Sequence, residues 1–124
     1  MDAIYIKYHE WFESILAQDL PKEIVGFAVN LYDNDNSYEA ELIGAATFDK
    51  DNEDWACDDI FMSDRFIFPI SSFKGGWEAN LALIVESTNK YIESNSKGAL
   101  KLNSAQGFGV GFVDGNLTLV GKNA

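Results

Sequence analysis

Basic residues and long apolar runs are scarce in this chain, and each shortage excludes a class of protein. Nine Lys and Arg residues face 20 Asp and Glu residues, which gives a net charge of −11. We do not expect such a chain to bind nucleic acid or an anionic membrane, because both are polyanions. No apolar run approaches the ~20 residues of a membrane-spanning helix. The N-terminus has no basic stretch followed by a long apolar one, so no signal peptide is expected.

Cysteine and histidine each occur once, as Cys57 and His9. A single cysteine cannot form an internal disulfide, and a reducing cytoplasm is the simplest expected location. A nucleophilic cysteine needs a cationic neighbourhood, whereas acids surround Cys57, so we expect a buried and inert thiol. A catalytic histidine needs a nucleophile or a second base, and the sequence shows none near His9. We expect His9 to be a partly exposed helix residue.

Apolar and aromatic residues, by contrast, are abundant. The chain of 124 residues is 47% hydrophobic and 14% aromatic. Disordered acidic chains are poor in aromatic residues, so we expect a folded protein with a substantial core. The length suits one domain, and we predict a single domain spanning residues 1–124.

Two segments have the periodicity of amphipathic helices. Apolar residues recur at helical spacing across residues 3–18 and again across residues 77–94. The residue before Pro21 avoids the α region, which ends the first helix. Gly75 and Gly76 interrupt the chain before the second.

Alternating apolar residues predict the strands. Residues 25–32 and 38–48 alternate on either side of the turn-forming stretch 33–37, which predicts a hairpin with a five-residue loop. Residues 65–70 also read as a strand, which Pro69 confines to a sheet edge or a strand end.

Two other segments are less regular. Residues 55–62 are compatible with a short strand or a turn of helix, and residues 95–106 are mostly polar.

A second hairpin is predicted for residues 107–120, turned at residues 114–116, because Asp-Gly between alternating apolar runs is a strong turn signal. Gly107, Gly109 and Gly111 share one face of its first strand, and a face without side chains lets another element approach closely. The predicted fold class is therefore α+β: an antiparallel sheet of about five or six strands with two main helices.

An acid-rich loop raises the question of a calcium site. Asp49, Asp51 and Glu53 match positions 1, 3 and 5 of an EF-hand loop. However, Asp54 and Ile60 stand where that loop needs glycine and a bidentate glutamate. An EF-hand is excluded, and we expect no metal, no cofactor and no catalytic residue.

The negative charge is concentrated in one third of the chain. Residues 33–64 contain eleven acids and one base, Lys50, so the segment carries −10 of the total −11. A solvated, solubilising face is the simple interpretation. Like charges packed together oppose folding, however, and a concentrated field steers a cationic partner onto one face. We therefore interpret the segment as a binding surface for a protein.

Five stretches of the sequence resemble small acidic immunity proteins of bacterial contact-dependent growth inhibition and other polymorphic toxin systems. They are LP-x-E-I, FAVNLYDND, YEAELIGAATFD, DNEDWACDDIF and the closing FGVGFVDGNLTLV. The resemblance covers about half of the chain and lies in its general pattern. It implies a cytoplasmic protein without enzymatic activity, which binds a cognate toxin domain and blocks it. A basic nuclease is the expected toxin, because an acidic surface can fill its phosphate-binding cleft.

The expected contact surface is acidic. Two of its residues, Glu39 and Glu41, project from the same face of one predicted strand, because side chains two apart point the same way. Trp55 is predicted either as an aromatic anchor for the partner or as a core residue. The alternative functions are a small hydrolase or cation-dependent enzyme and a general scaffold domain. The predicted partner-binding residues are Glu39, Glu41, Asp49, Asp51, Glu53, Asp54, Trp55, Asp58 and Asp59.

Overall fold

The computed structural model describes residues 3–34, 37–69, 76–113 and 115–121. Within these residues the α-helices are α1 (Ala3–Leu16), α2 (Trp77–Glu93) and α3 (Lys97–Ser104), and a short 3-10 helix spans Glu53–Cys57. The strands are β1 (Gly26–Asn34), β2 (Ser37–Ala45), β3 (Asp59–Met62), β4 (Phe66–Pro69), β5 (Gly107–Phe112) and β6 (Thr118–Leu119). The α+β class, the six strands and the two main helices confirm the prediction.

The six strands form one sheet in the order β3-β2-β1-β5-β6, and β4 also pairs with β2. All pairs are antiparallel except β1 and β5, which run parallel from Gly26↔Gly107 to Leu31↔Phe112. The parallel pair was not predicted. It requires a crossover between strands that lie far apart in sequence, and α2 and α3 fall within that connection.

The first hairpin is tighter than predicted. Its ladder continues to the pair Asn34↔Ser37, so the connection is only residues 35 and 36, which lie outside the described residues. The five-residue loop was therefore wrong, because three polar turn formers belong to the ends of the ladder. The ambiguous segment 55–62 contains both proposed structures, since the end of the 3-10 helix is followed by β3. Pro69 ends β4, as predicted.

The principal core lies between the helices and one face of the sheet. Tyr8 and Phe12 of α1 are fully buried, and Phe12 stacks on Tyr91 of α2 with ring centroids 4.8 Å apart. The Tyr8 hydroxyl bonds the Thr88 hydroxyl at 3.0 Å, so its polar end is satisfied within the core. Burial of each large apolar side chain contributes about 1.5–3 kcal/mol. This core packs the helices against one face of the sheet and leaves the other face for the smaller cluster and the acidic residues.

A smaller cluster covers part of the opposite face. Trp55 and Phe48 pack edge to face, with ring centroids 4.9 Å apart. A Cβ at Gly107 would lie 2.1 Å from the Phe48 ring, and one at Gly111 would lie 2.4 Å from the Asn116 carbonyl oxygen. The glycine face therefore does admit close neighbours, as predicted. The buried members of this cluster are Ala28, Ile43, Ala45 and Trp55.

Candidate binding surface

Glu39 and Glu41 lie on the sheet face opposite the helices. They alternate along β2 with Ala40 and Leu42, which are buried in the principal core. The prediction that the two glutamates share a face is confirmed. Further along the same face of β2, Ile43 lies in the smaller cluster. The glutamates thus lie on the part of this face that continues beyond that cluster.

Arg65 binds both glutamates. Its Nη1 lies 3.3 Å from a carboxylate oxygen of Glu39, and its Nε lies 3.8 Å from one of Glu41. The guanidinium carbon lies 3.9 Å from the centroid of the Tyr32 ring, a cation–π geometry. The Tyr32 hydroxyl donates to Glu41 at 3.1 Å, and the Asn34 amide donates to Glu39.

The pKa values of Tyr32 and Arg65 are both shifted in part by their contacts with the two glutamates. The pKa of Tyr32 is raised, first by burial and then by its hydrogen bond to Glu41, and the nearby charge of Asp59 adds to the rise. The hydrogen bond to Glu39 raises the pKa of Arg65. Asp59 therefore contributes to the field on this face, together with the two strand glutamates.

The partner-binding role of the strand glutamates stays a prediction, but their surroundings differ from those of exposed, unpaired acids. Glu41 is only 8% exposed and both carboxylates are already bound to Arg65, so neither is a free surface charge. Sequence reasoning missed Arg65 because it stands one position beyond the acidic segment. Residue 65 does begin the predicted strand 65–70, but the pairing of that strand with β2 appears only in the structure.

The exposed acids lie in the loop, the 3-10 helix and the start of β3. Asp49 accepts the Asp51 backbone N–H at 2.9 Å, and a Glu53 carboxylate oxygen accepts the Leu117 N–H at 2.9 Å. Each of these bonds leaves the second carboxylate oxygen available. In the described part of the chain, no Lys or Arg forms an ion pair with them. These exposed acids are Asp49, Asp51, Glu53, Asp54, Asp58 and Asp59.

The position of Trp55 decides between its two predicted roles. It is 5% exposed, and a Cβ at Gly26 would lie 2.8 Å from its ring. Trp55 therefore belongs to the core and does not serve as a surface anchor. Its burial fixes the 3-10 helix against the sheet and so positions the acids on either side of it.

An open cleft of about 310 Å³ adjoins the 3-10 helix. Glu53, Asp54 and Cys57 line it from that helix, while Phe112 and Leu117 line it from the C-terminal hairpin. Cys57 is exposed, so the prediction of a buried thiol was wrong. In the 3-10 helix Trp55 is buried and Ala56 packs against the smaller cluster, whereas Glu53, Asp54 and Cys57 are exposed. Among the described residues, no three His, Cys, Asp or Glu side chains converge as a metal site would require.

His9 lies at the junction of α1 and α2 and is half-buried. Its Nε2 lies 2.8 Å from the Ser87 carbonyl oxygen and 3.0 Å from the Ser87 hydroxyl oxygen. A carbonyl can only accept, so Nε2 carries the hydrogen and cannot take a proton from Ser87. Burial lowers the pKa of His9. This pair connects two helices and does not have the geometry of a general base with its nucleophile.

Comparisons with known proteins give no relative on which a function could be based. No protein-family model, no curated protein and no solved structure matches the chain. Of the helices within the described residues, none has both the length and the apolarity to cross a membrane.

Proposed function

We propose that this chain is an immunity protein that binds a cognate toxin domain, with a basic nuclease as the toxin, and neutralises it. The observation that supports the proposal most is the group of exposed acids at residues 49–59, which lie beside an acidic cleft. Their charges are not balanced by ion pairs within the described chain. A basic protein surface supplies the missing charges, and the sequence resemblance to immunity proteins names a class of partner.

The local structure holds these acids in place before a partner arrives. Asn52 caps the 3-10 helix by accepting the Asp54 N–H at 3.0 Å, and Trp55 anchors that helix in the core. Glu53 ties it to the C-terminal hairpin. A surface ordered in advance loses less entropy on binding, which favours affinity.

The field of the surface should also speed capture. Complementary charges raise association rates from ~10⁵–10⁶ to as much as ~10⁸–10⁹ M⁻¹s⁻¹ at low salt. A nuclease presents a basic cleft to bind phosphates, and carboxylates in that cleft would compete with its substrate. Rapid capture suits a protein that must neutralise a toxin before it acts.

Charge reversal tests this proposal. Replacing Asp49, Asp51 and Asp54 by Lys should slow association with the purified toxin domain of the neighbouring locus by roughly tenfold to a hundredfold at low salt. The dependence of the rate on salt should weaken as well. Stopped-flow association across a salt series measures both effects, and circular dichroism verifies the fold.

The matched control replaces three exposed acids outside the acidic segment, Glu10, Asp19 and Glu23, by Lys. It changes the net charge equally and should retain most of the association rate. Equal loss in both triple variants would show that net charge acts without a defined surface. A rate indifferent to salt and to both reversals would refute the electrostatic mechanism.

A further inference from the structure

A second pocket lies where the amino end of α2 meets the ends of β1 and β5. It has a volume of about 210 Å³ and is lined by Asp33, Trp77, Phe112 and Gly115. Trp77 is the first residue of α2 and is 55% exposed, so its indole is accessible from the pocket. Trp and Tyr that remain accessible on a rigid element are frequent anchors of protein interfaces.

The two aromatic rings form perpendicular walls of this pocket. The centroids of Trp77 and Phe112 are 6.0 Å apart and their planes meet at 88°. Phe112 is itself held by an edge-to-face contact with Tyr38, at 5.5 Å between centroids. Rigid aromatic walls with a carboxylate beside them are the arrangement by which proteins recognise cationic groups.

The charge around the pocket selects a cation. The amino end of a helix is equivalent to only about half a positive charge, whereas two acidic side chains, Asp33 and Glu78, lie near this end of α2. Phe112 and Gly115 also line the acidic cleft, which adds Glu53 and Asp54 to the local field. Among the residues that the structure describes, the charges around this site are therefore negative on balance.

From these observations we infer that the pocket of Asp33, Trp77 and Phe112 binds an arginine side chain of the captured protein. A planar guanidinium stacks on an aromatic ring and donates to a carboxylate, and this pocket supplies both. The inference rests on the proposed function in assigning the arginine to a toxin. It adds to the proposed binding surface of residues 49–59 a second anchoring point, next to the acidic cleft.

The test titrates ¹⁵N-labelled protein with the peptide acetyl-Gly-Arg-Gly-amide and follows the indole N–H signals by NMR. Trp77 should shift in a saturable manner. Trp11, whose indole donates to the Asp64 carbonyl, and the buried Trp55 should stay unchanged as internal references. The same peptide with neutral citrulline in place of arginine should bind about tenfold more weakly, ~1.4 kcal/mol.

Two variants complete the test. Asp33→Asn should weaken binding of the arginine peptide by about tenfold, whereas Glu86→Gln, which removes an exposed carboxylate elsewhere, should not. Equal shifts with both peptides would show a purely apolar pocket and overturn the inference. Absence of a saturable Trp77 shift would do so too. Neither result requires the toxin, so failure here is distinct from failure of the proposed function.

Discussion

At the scale of single residues, Arg65 divides the acids of residues 33–64 into a paired group and an unpaired group. It joins Glu39 and Glu41 into an ion-paired cluster beside the Tyr32 ring, while the acids of residues 49–59 have no ion-pair partner among the described residues. A cationic partner that approaches Glu39 must compete with Arg65. We therefore place the electrostatic attraction on the loop and the 3-10 helix, and not on β2.

The glycines of β5 differ in how close an added Cβ atom would come to neighbouring atoms. A Cβ at Gly111 would lie 2.4 Å from the Asn116 backbone oxygen, whereas one at Gly109 would meet Leu117 at an ordinary 3.5 Å. We expect Gly111→Ala to lower the free energy of unfolding by about 1–3 kcal/mol, as overpacking does. Gly109→Ala, on the same strand face, is the control and should be nearly neutral. Urea denaturation measures both, and equal stability of the two variants would contradict the geometry.

At the scale of elements, the periodicity of apolar residues predicted the helices and strands that form within one segment of the chain. Helices α1 and α2 and the strands β1 and β2 follow from apolar spacing within one segment. Helix α3 was missed because few of its residues are apolar and buried, chiefly Ala99 and Leu102, and its start depends on the Ser96 hydroxyl accepting the Ala99 N–H. Long-range pairings, such as β1 with β5, leave no periodic signal in the sequence.

The candidate site shows the same division. The shared face of Glu39 and Glu41 could be predicted, because it follows from alternation along one strand. The binding of both to Arg65 and the exposure of Cys57 could not, because they depend on how β4 and the 3-10 helix dock on the sheet. Charge counting along a sequence cannot distinguish free acids from paired ones.

Glu13 connects α1 to the start of α3 and should make stability depend on pH. It accepts hydrogen bonds from the Ser96 hydroxyl at 2.5 Å and the Tyr91 hydroxyl at 2.6 Å. These bonds, that of Ser96 first, lower the pKa of Glu13 below its ordinary 4.5. A lowered folded-state pKa gives stabilisation that is complete above pH 4.5 and is lost as pH falls through the folded value.

We therefore expect Glu13→Gln to lower the melting temperature at pH 7, with the difference from the parent protein vanishing as pH falls well below 4.5. Thermal unfolding across a pH series measures this difference. Glu10→Gln is the control, because Glu10 is exposed on the same helix. A difference for Glu13→Gln that persists unchanged at low pH would show that its carboxylate charge is not the cause.

At the scale of the whole molecule, the charge that would attract a partner also opposes folding. Residues 33–64 carry −10 of the net −11, and within that segment residues 49–59 hold most of the exposed acids. Arg65 offsets the repulsion around the strand glutamates, whereas the loop acids have no such partner among the described residues. The protein should be less stable in low salt than its packing alone would allow.

Neutralisation of the loop should relieve this repulsion. Replacing Asp49, Asp51 and Asp54 by Asn should raise the melting temperature by a few degrees at low ionic strength. The gain should shrink as salt rises, because the screening length falls from ~30 Å at 0.01 M to ~3 Å at 1 M. Neutral replacement of Glu10, Asp19 and Glu23 is the matched control and should have a smaller effect. If both triple variants gain equal stability, or if the gain survives in 1 M salt, the repulsion is not concentrated at residues 49–59. The destabilising charge of these residues would then no longer support a role in binding a partner.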